Sequence, residues 1–261
     1  MFEVSITTSN FERQTSNLSN TYFQFKQFTI HQDRCAMKVT TDACLFGAWV
    51  AEEMKNDKLK IKNVLDVGAG TGLLSLMFAQ KNPSAVIDAI EIDKETYQQA
   101  KENAESSPFA KQLYVINSDV KSFSFSKKYD VILSNPPFYV QDIKPADEKK
   151  SIAHHESGLL FEELLRVIGD NLSSDGIFYA LLPFKRNQQV KNDFLQQDLS
   201  LSKILFVRQS TRHGYFRMML AGRLGKSADT ETSIEEISIW DDQQQYTDHF
   251  KQLLKDYYLH L

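Results

Sequence analysis

The stretch NVLDVGAGTGLLSLMFAQK (residues 63–81) contains two apolar runs separated by three alternating glycines. The first run, NVLDV (residues 63–67), predicts a buried strand, and TGLLSLMFAQK (residues 71–81) predicts a helix. Glycines between a strand and a helix permit positive φ angles and let a ligand approach the backbone. The stretch therefore predicts a ligand-binding turn at the end of a core strand.

The spacing of these glycines restricts the kind of ligand. Gly68-x-Gly70-x-Gly72 departs from the dinucleotide fingerprint, because the sixth position counted from Gly68 is Leu73. The loop also lacks the Gly-Lys-Ser/Thr of a P-loop, so a triphosphate site is not expected. Asp66, just before the glycines, would repel a pyrophosphate but suits a ligand that carries an ammonium group.

Strand-like and helix-like segments alternate along the middle of the chain. The strand-like segments span residues 85–92, 112–119, 129–134 and 176–183, and the helix-like segments span residues 94–106, 157–172 and 186–197. This alternation predicts an α/β fold with right-handed βαβ units and a mostly parallel sheet. Two further strands (residues 201–210 and 215–224) are joined by TRHG without a helix, which predicts an antiparallel pair that closes the sheet.

Three parts of the chain are distinguished by their patterns. Residues 1–21 are polar and predict a loose N-terminal tail. Residues 22–60 predict a hairpin followed by a helix on the substrate side, and residues 61–261 form the main domain. Within that domain, residues 139–156 are charged and aperiodic, which is typical of a mobile lid.

The composition, 42% hydrophobic and 25% charged residues, is that of a globular protein with a sizeable core. There is no long apolar stretch and no signal-like N-terminus, so we expect a cytoplasmic protein that does not enter a membrane. Cys35 and Cys44 lack metal-ligand spacing, so neither a disulfide nor a metal site is expected.

The strand YDVILS (residues 129–134) is followed directly by Asn135-Pro136-Pro137-Phe138. The prolines fix φ and remove backbone donors, so the neighbouring carbonyls remain free to accept from a ligand. An asparagine oxygen, a free carbonyl and a ring can together bind a planar group with an exocyclic amine. The motif resembles the catalytic N-P-P-[FY] of amino-methyltransferases, which act on adenine, guanine or glutamine nitrogens. The alternative is a rigid turn with Phe138 in the core.

The loop DVGAGTG (residues 66–72) resembles the first motif of class I methyltransferases that use S-adenosylmethionine. The resemblance implies a Rossmann-like, seven-stranded sheet and a loop that passes under the methionine portion of the cofactor. It also implies that Glu91 holds the ribose hydroxyls and that Asp119 receives the adenine amine. Alternatively, Glu91 is a helix-start charge and Asp119 caps a turn.

The segment FKQFTIHQDRCAMKVTTDACLFGAW (residues 25–49) resembles bacterial tRNA adenine-N6 methyltransferases, which modify the adenine beside the anticodon of a valine tRNA. This resemblance implies that Lys38, Thr41 and Asp42 face the cofactor pocket. At residues 153–155 the chain has A-H-H where A-R-H is expected, which leaves the role of the first histidine open.

The same segment contains aromatic residues with two open interpretations. The first four are Tyr22, Phe23, Phe25 and Phe28. These rings could stack on RNA bases, although core packing is favoured for two of them. Phe46 and Trp49, at helical spacing, are expected in the core, and His31 is expected to be structural.

Four other functions remain open. A guanine-N2 rRNA methyltransferase and a protein-glutamine methyltransferase share N-P-P-F. An RNA-binding module without a cofactor would keep the fold, but the intact acidic and glycine positions argue against it. The glycine spacing disfavours a nicotinamide oxidoreductase.

The net charge of −4 is unevenly distributed along the sequence. Residues 183–227 contain nine Lys or Arg, whereas residues 228–242 contain six acids and no base. We expect the basic segment, with Lys26 and Arg34, to form a basic face that binds tRNA beside N-P-P-F. Two solvated faces are the alternative. We expect a monomer.

Overall fold

The computed structural model describes residues 21–56, 59–136, 159–225 and 232–261. The predicted tail up to residue 20 and the predicted lid (residues 139–156) lie outside the described residues, as do Pro137 and Phe138.

The described residues form ten strands and six helices. The strands are β1 (Tyr22–Gln24), β2 (Thr29–His31), β3 (Asn63–Val67), β4 (Val86–Glu91), β5 (Leu113–Asn117), β6 (Tyr129–Ser134), β7 (Leu172–Pro183), β8 (Leu199–Ser210), β9 (Tyr215–Leu224) and β10 (Ser233–Trp240). The helices are α1 (Thr41–Asn56), α2 (Leu73–Lys81), α3 (Lys94–Glu105), α4 (Phe161–Asn171), α5 (Asn187–Gln196) and α6 (Asp248–Leu254).

Eight strands form one sheet in the order β10-β8-β9-β7-β6-β3-β4-β5. The five strands β7-β6-β3-β4-β5 are parallel to their neighbours, and β9 lies antiparallel between β7 and β8. The predicted α/β fold and the predicted antiparallel pair are confirmed. The predicted count of seven strands is wrong, because β10 adds an outer strand parallel to β8, so the antiparallel pair does not close the sheet.

The sheet has a hydrophobic core on each face. On one face the core includes side chains of α1, α2, α6 and the β1–β2 hairpin. On the other face α4 and α5 cover it. Phe46 and Trp49 are buried as predicted, and so are Phe25 and Phe28, whereas Tyr22 is 50% exposed. The hairpin is therefore held to the domain by core packing.

The N-terminal hairpin also bonds to the last residues of the chain. The Lys26 amide donates to the Tyr257 carbonyl at 2.8 Å, and Phe25 forms a β-bridge with Tyr258. The Tyr257 hydroxyl in turn donates to the Met77 carbonyl in α2 at 3.0 Å. One short C-terminal segment thus joins the hairpin to the cofactor-side helix.

None of the helices within the described ranges combines the length and the apolar character needed to span a membrane.

Candidate active site

Four neighbouring strands of the sheet, β6, β3, β4 and β5, end at the same edge because they are parallel. Val67 pairs with Ser134, and Glu91 pairs with Asn117. Asn135, the glycine loop, Glu91 and the turn at Asp119 therefore follow one another along the edge, with neighbouring strands about 4.8 Å apart. This row is the edge at which open α/β sheets bind their ligands.

The glycine loop is fixed by bonds to the end of β4. The amides of Gly68 and Ala69 both donate to the Ile90 carbonyl at 3.0 Å, and the Gly70 amide donates to Glu91 Oε2 at 2.9 Å. Gly70 has φ +56°, and a Cβ placed on it would meet nothing within 4 Å. The loop thus leaves open space above its backbone where a ligand can lie.

Asp66 lies beneath this loop and is fully buried. Its Oδ2 accepts from the Ser75 hydroxyl at 2.7 Å, while its Oδ1 has no hydrogen-bond partner in the described part of the chain. Burial raises the pKa of Asp66 to about 6, although the bonds from Ser75 oppose the shift. A cationic group bound at the loop would favour the ionised carboxylate, so this position fits a cofactor with an ammonium group.

Glu91 and Asp119 both use their carboxylates to shape the edge. Glu91 accepts from the Gly70 amide and, through Oε1, from the Asp93 amide at 3.0 Å. The cap of α3 is Asp93, so the interpretation of Glu91 as a helix-start charge is not needed. Asp119 Oδ1 accepts from the Lys121 amide at 2.9 Å and forms a turn. Because carboxylate oxygens accept several bonds, both groups can also bind a ligand.

Asn103, on α3, is a site residue that the sequence analysis missed. It is 1% exposed, accepts from the His31 amide at 2.9 Å, and donates to the carbonyls of His31 (2.8 Å) and Thr71 (2.9 Å). It therefore connects the hairpin to the glycine loop. The available signal was that α3 buries polar residues, including Thr96 and Gln99, at helical spacing where apolar ones are usual.

Lys38 and Thr41, predicted to face the cofactor, bond to protein groups. The Lys38 ammonium donates to the Gln32 carbonyl, and Thr41 hydrogen-bonds the Tyr258 side chain. Lys38 lies between the hairpin and α1, and Thr41 is the first residue of α1. Their contact with a cofactor stays a prediction.

Asp42 has a partner that the sequence did not suggest. Its Oδ2 accepts from Arg217 Nε of β9 at 2.7 Å, and the carboxylate is nearly buried. Arg217 pairs with Pro183 at the end of β7. The pair thus joins the start of α1 to the edge of the sheet that contains the active-site row.

Asn135 and Pro136 are the two residues of the N-P-P-F motif within the described ranges. Asn135 is half-buried and Pro136 is buried. The Ser134 hydroxyl donates to the Val67 carbonyl at 2.9 Å, which fixes the end of β6 against the strand that carries the glycine loop. Ser134 pairs with Val67, so Asn135 and Gly68 are the next residues on two neighbouring strands.

Comparison with known proteins identifies the family. A family model described as "Methyltransferase small domain" matches residues 47–175. A protein of Dyadobacter fermentans named tRNA1(Val) (adenine(37)-N6)-methyltransferase is 40% identical over 241 residues, which cover 92% of this chain and 98% of that protein. A protein of the same name from Christiangramia forsetii is 36% identical over 248 residues, which cover 94% and 100%. The chain belongs to this family.

Membership confirms the resemblance found in the sequence and the methyltransferase class, and it does not favour the guanine or glutamine alternatives. Among solved structures, a predicted O-methyltransferase from Agrobacterium tumefaciens superposes with a TM-score of 0.59 at 16% identity, covering 82% of this chain and 96% of that one. At this identity the likeness confirms the fold alone.

Part of the expected basic face of the methyltransferase is paired with acids, because β10 lies beside the basic strand β8. Within the described ranges, these cations of the segment form ion pairs: Lys203 with Glu53 and Glu235, Arg208 with Glu236, Arg212 with Asp242, and Arg217 with Asp42. Lys26 and Arg34 bond elsewhere, to the Lys255 carbonyl and to Glu102. The described parts of the two charged segments are adjacent in space and partly offset each other.

Within the described ranges, no group of three or more His, Cys, Asp or Glu side chains is arranged to hold a metal ion.

Proposed function

We propose that this chain transfers the methyl group of S-adenosylmethionine to N6 of adenine 37 in tRNA1(Val), the activity for which its relatives are named. The observation that carries the proposal is the pairing of Val67 with Ser134. It sets Asn135, which can bind an amine, beside Gly68, where the cofactor loop begins. Methyl donor and acceptor can therefore meet at one place on the sheet edge.

The residues that would hold the cofactor are those of the active-site row. The backbone of Gly68 and Gly70 leaves room for it, and Gly72, which lies against Ala100, turns the loop into α2. Asp66 faces its ammonium group, and its ribose and adenine are held by two carboxylates further along the edge, Glu91 and Asp119. When bound, S-adenosylmethionine supplies a methyl group activated by a positive sulfonium.

Asn135 acts on the amine that receives this methyl group. The lone pair of an exocyclic adenine amine is delocalised into the ring, so the nitrogen is a poor nucleophile. The Asn135 side-chain oxygen and the Pro136 carbonyl accept its two hydrogens and favour a pyramidal nitrogen. These bonds strengthen as positive charge develops, so they stabilise the transition state more than the ground state.

Pro137 and Phe138 complete the motif. In this proposal Pro137 fixes the backbone so that the neighbouring carbonyl stays available to accept a hydrogen bond. Phe138 stacks on the target adenine, which must first unstack from its neighbours in the RNA to enter the site. A strong base is not required, because methylation itself acidifies the nitrogen.

Further features follow from this function. Lys38, Thr41 and Asp42, within residues 22–60 on the substrate side of the methyltransferase domain (residues 61–261), face the cofactor pocket. Thr41 and Asp42 lie near the methionine end of the cofactor. The protein acts in the cytoplasm as a monomer, and a resident metal ion is not needed because the sulfonium already activates the methyl group.

The test has two parts. Mass spectrometry of tRNA nucleosides should show loss of N6-methyladenosine from the valine tRNA in a strain that lacks the gene. In single-turnover assays, Asn135→Ala should lower the rate by about 10²- to 10³-fold while calorimetry shows unchanged cofactor affinity. Asn192→Ala, an exposed asparagine on α5, is the matched control. Unchanged modification in the deletion strain would refute the substrate assignment.

A further inference from the structure

Three aromatic rings lie close together at the sheet edge beyond β7. The rings of Phe184, Phe206 and Tyr215 have centroids 5.0 to 5.4 Å apart in every pair, so they form a compact triangle. All three side chains are only partly buried. We name this cluster the ring platform.

The ring platform lies on the same edge as the catalytic asparagine. Ser134, the last residue of β6, pairs with Ala180; β7 continues three residues beyond this pairing to Pro183, and Phe184 directly follows it. Tyr215 begins β9, which is the next strand along the sheet. A polynucleotide that delivers a base to Asn135 therefore passes close to these rings.

Cationic groups surround the ring platform. The Arg208 guanidinium lies 4.3 Å from the centre of the Tyr215 ring, and Lys185, next to Phe184, is exposed. Glu236 accepts from both Arg208 and Tyr215 and holds their side chains in place. Because this carboxylate also offsets the local charge, the rings and the guanidinium plane, rather than net charge, offer the binding surface.

We infer that the ring platform stacks on unpaired bases of an RNA loop, next to the adenine that enters the active site. Stacking on aromatic rings and on arginine planes is how proteins bind single-stranded RNA, because every base has a π-face. It suits a chain of net charge −4 in which Arg208 and Arg217 are both paired with acids. This inference rests on the proposed function, which requires a base in a single-stranded loop.

The experiment uses the anticodon stem–loop of the valine tRNA, with 2-aminopurine placed at one unpaired position at a time. Binding to the parent protein should quench the fluorescence of at least one label next to the target adenine, because stacking quenches this base. Phe184→Leu and Tyr215→Leu should abolish the quenching and weaken binding by about 5- to 150-fold per stacked base. Cofactor affinity, measured by calorimetry, should not change.

Two controls separate stacking from structural damage. Tyr215→Phe keeps the ring and loses the hydroxyl, so it should retain the quenching and most of the affinity. Tyr114→Leu removes a 56% exposed ring on β5, at the opposite end of the sheet, and should behave like the parent.

Parental quenching and affinity in both leucine variants would overturn the inference, as would equal losses in the phenylalanine and leucine variants at Tyr215. A different outcome would contradict the proposed function alone: the parent protein would bind the stem–loop through its rings but would not methylate it.

Discussion

The two ends of the main sheet are held by different kinds of bonds. Around β3 and β4, side chains bond to backbone groups: Glu91 accepts from the Gly70 amide, and Asn103 joins His31 to Thr71. Around β8 and β10, side chains bond to side chains of opposite charge, as in Arg212 with Asp242. Bonds to the backbone fix one loop geometry, whereas exposed charge pairs are weak and can exchange partners. The first kind of bond suits the binding of a small cofactor, and the second suits the binding of a large RNA substrate whose contacts vary.

The comparison predicts that valine at a glycine with positive φ has different consequences at the two ends. Gly70 (φ +56°) and Gly225 (φ +97°) both have positive φ and open space around the Cβ position. Valine at either site costs roughly 1–2 kcal/mol in strain, but only Gly70→Val fills the space above the loop. Calorimetry should show a loss of cofactor affinity of about 100-fold or more for Gly70→Val and parental affinity for Gly225→Val. Equal losses would show that strain alone is responsible.

Stability should show the same contrast. Asn103→Ala leaves buried backbone groups of the hairpin and the loop without partners, so the free energy of unfolding should fall by roughly 2–4 kcal/mol in urea titrations. Arg212→Ala removes an exposed pair and should leave the midpoint nearly unchanged. A larger loss for Arg212→Ala would reverse the comparison.

Asp66 makes the cofactor end sensitive to pH. Its pKa of about 6 in the folded chain exceeds the ordinary 3.8, so the folded state binds this proton more tightly and stability falls as the pH rises between those values. A cofactor ammonium favours the ionised form, so its affinity should rise about tenfold from about pH 5 to about pH 7. Calorimetry across this range should show the rise in the parent and its absence in Asp66→Asn.

Salt should have a modest effect on RNA affinity at the β8–β10 end of the sheet. Because Arg208, Arg212 and Arg217 are paired with acids, we expect only about two phosphates to be neutralised, so log K for the stem–loop should fall against log salt with a slope of about −1 to −2. Lys185→Gln should reduce this slope, while Arg212→Gln should not, because Asp242 already neutralises that arginine. A slope steeper than about −3 would show that RNA displaces the acids.

The sequence predicted the strand, the glycine loop and the helix at the cofactor end because the information for them is local. The loop from Asp66 to Gly72 lies within seven consecutive residues, and the strand that precedes it and the helix that follows it are strongly apolar. The position of Asn135 followed from the end of β6, another short apolar run. Parallel pairing then brought these strand ends together without further information.

What the sequence did not predict depends on distant pairings. β10 (Ser233–Trp240) has acids on its exposed half and lacks a clear strand pattern, so its place beside β8 came only from the fold. The pairing of Asp42 with Arg217 joins residues 175 positions apart, and Asn103 acts on a hairpin 72 positions away. Charge counted along the chain therefore suggested a basic face that β10 offsets.

The bond between Lys26 and Tyr257 makes the order of synthesis matter. The ribosome delivers the N-terminal hairpin first and its C-terminal partners last, so the hairpin waits while more than 200 residues are added between them. Until residues 257 and 258 emerge, the aromatic faces of Phe25 and Phe28 lack part of the surface that buries them. A nascent chain can thus form its glycine loop early, yet it assembles the substrate side only after residues 257 and 258 have emerged.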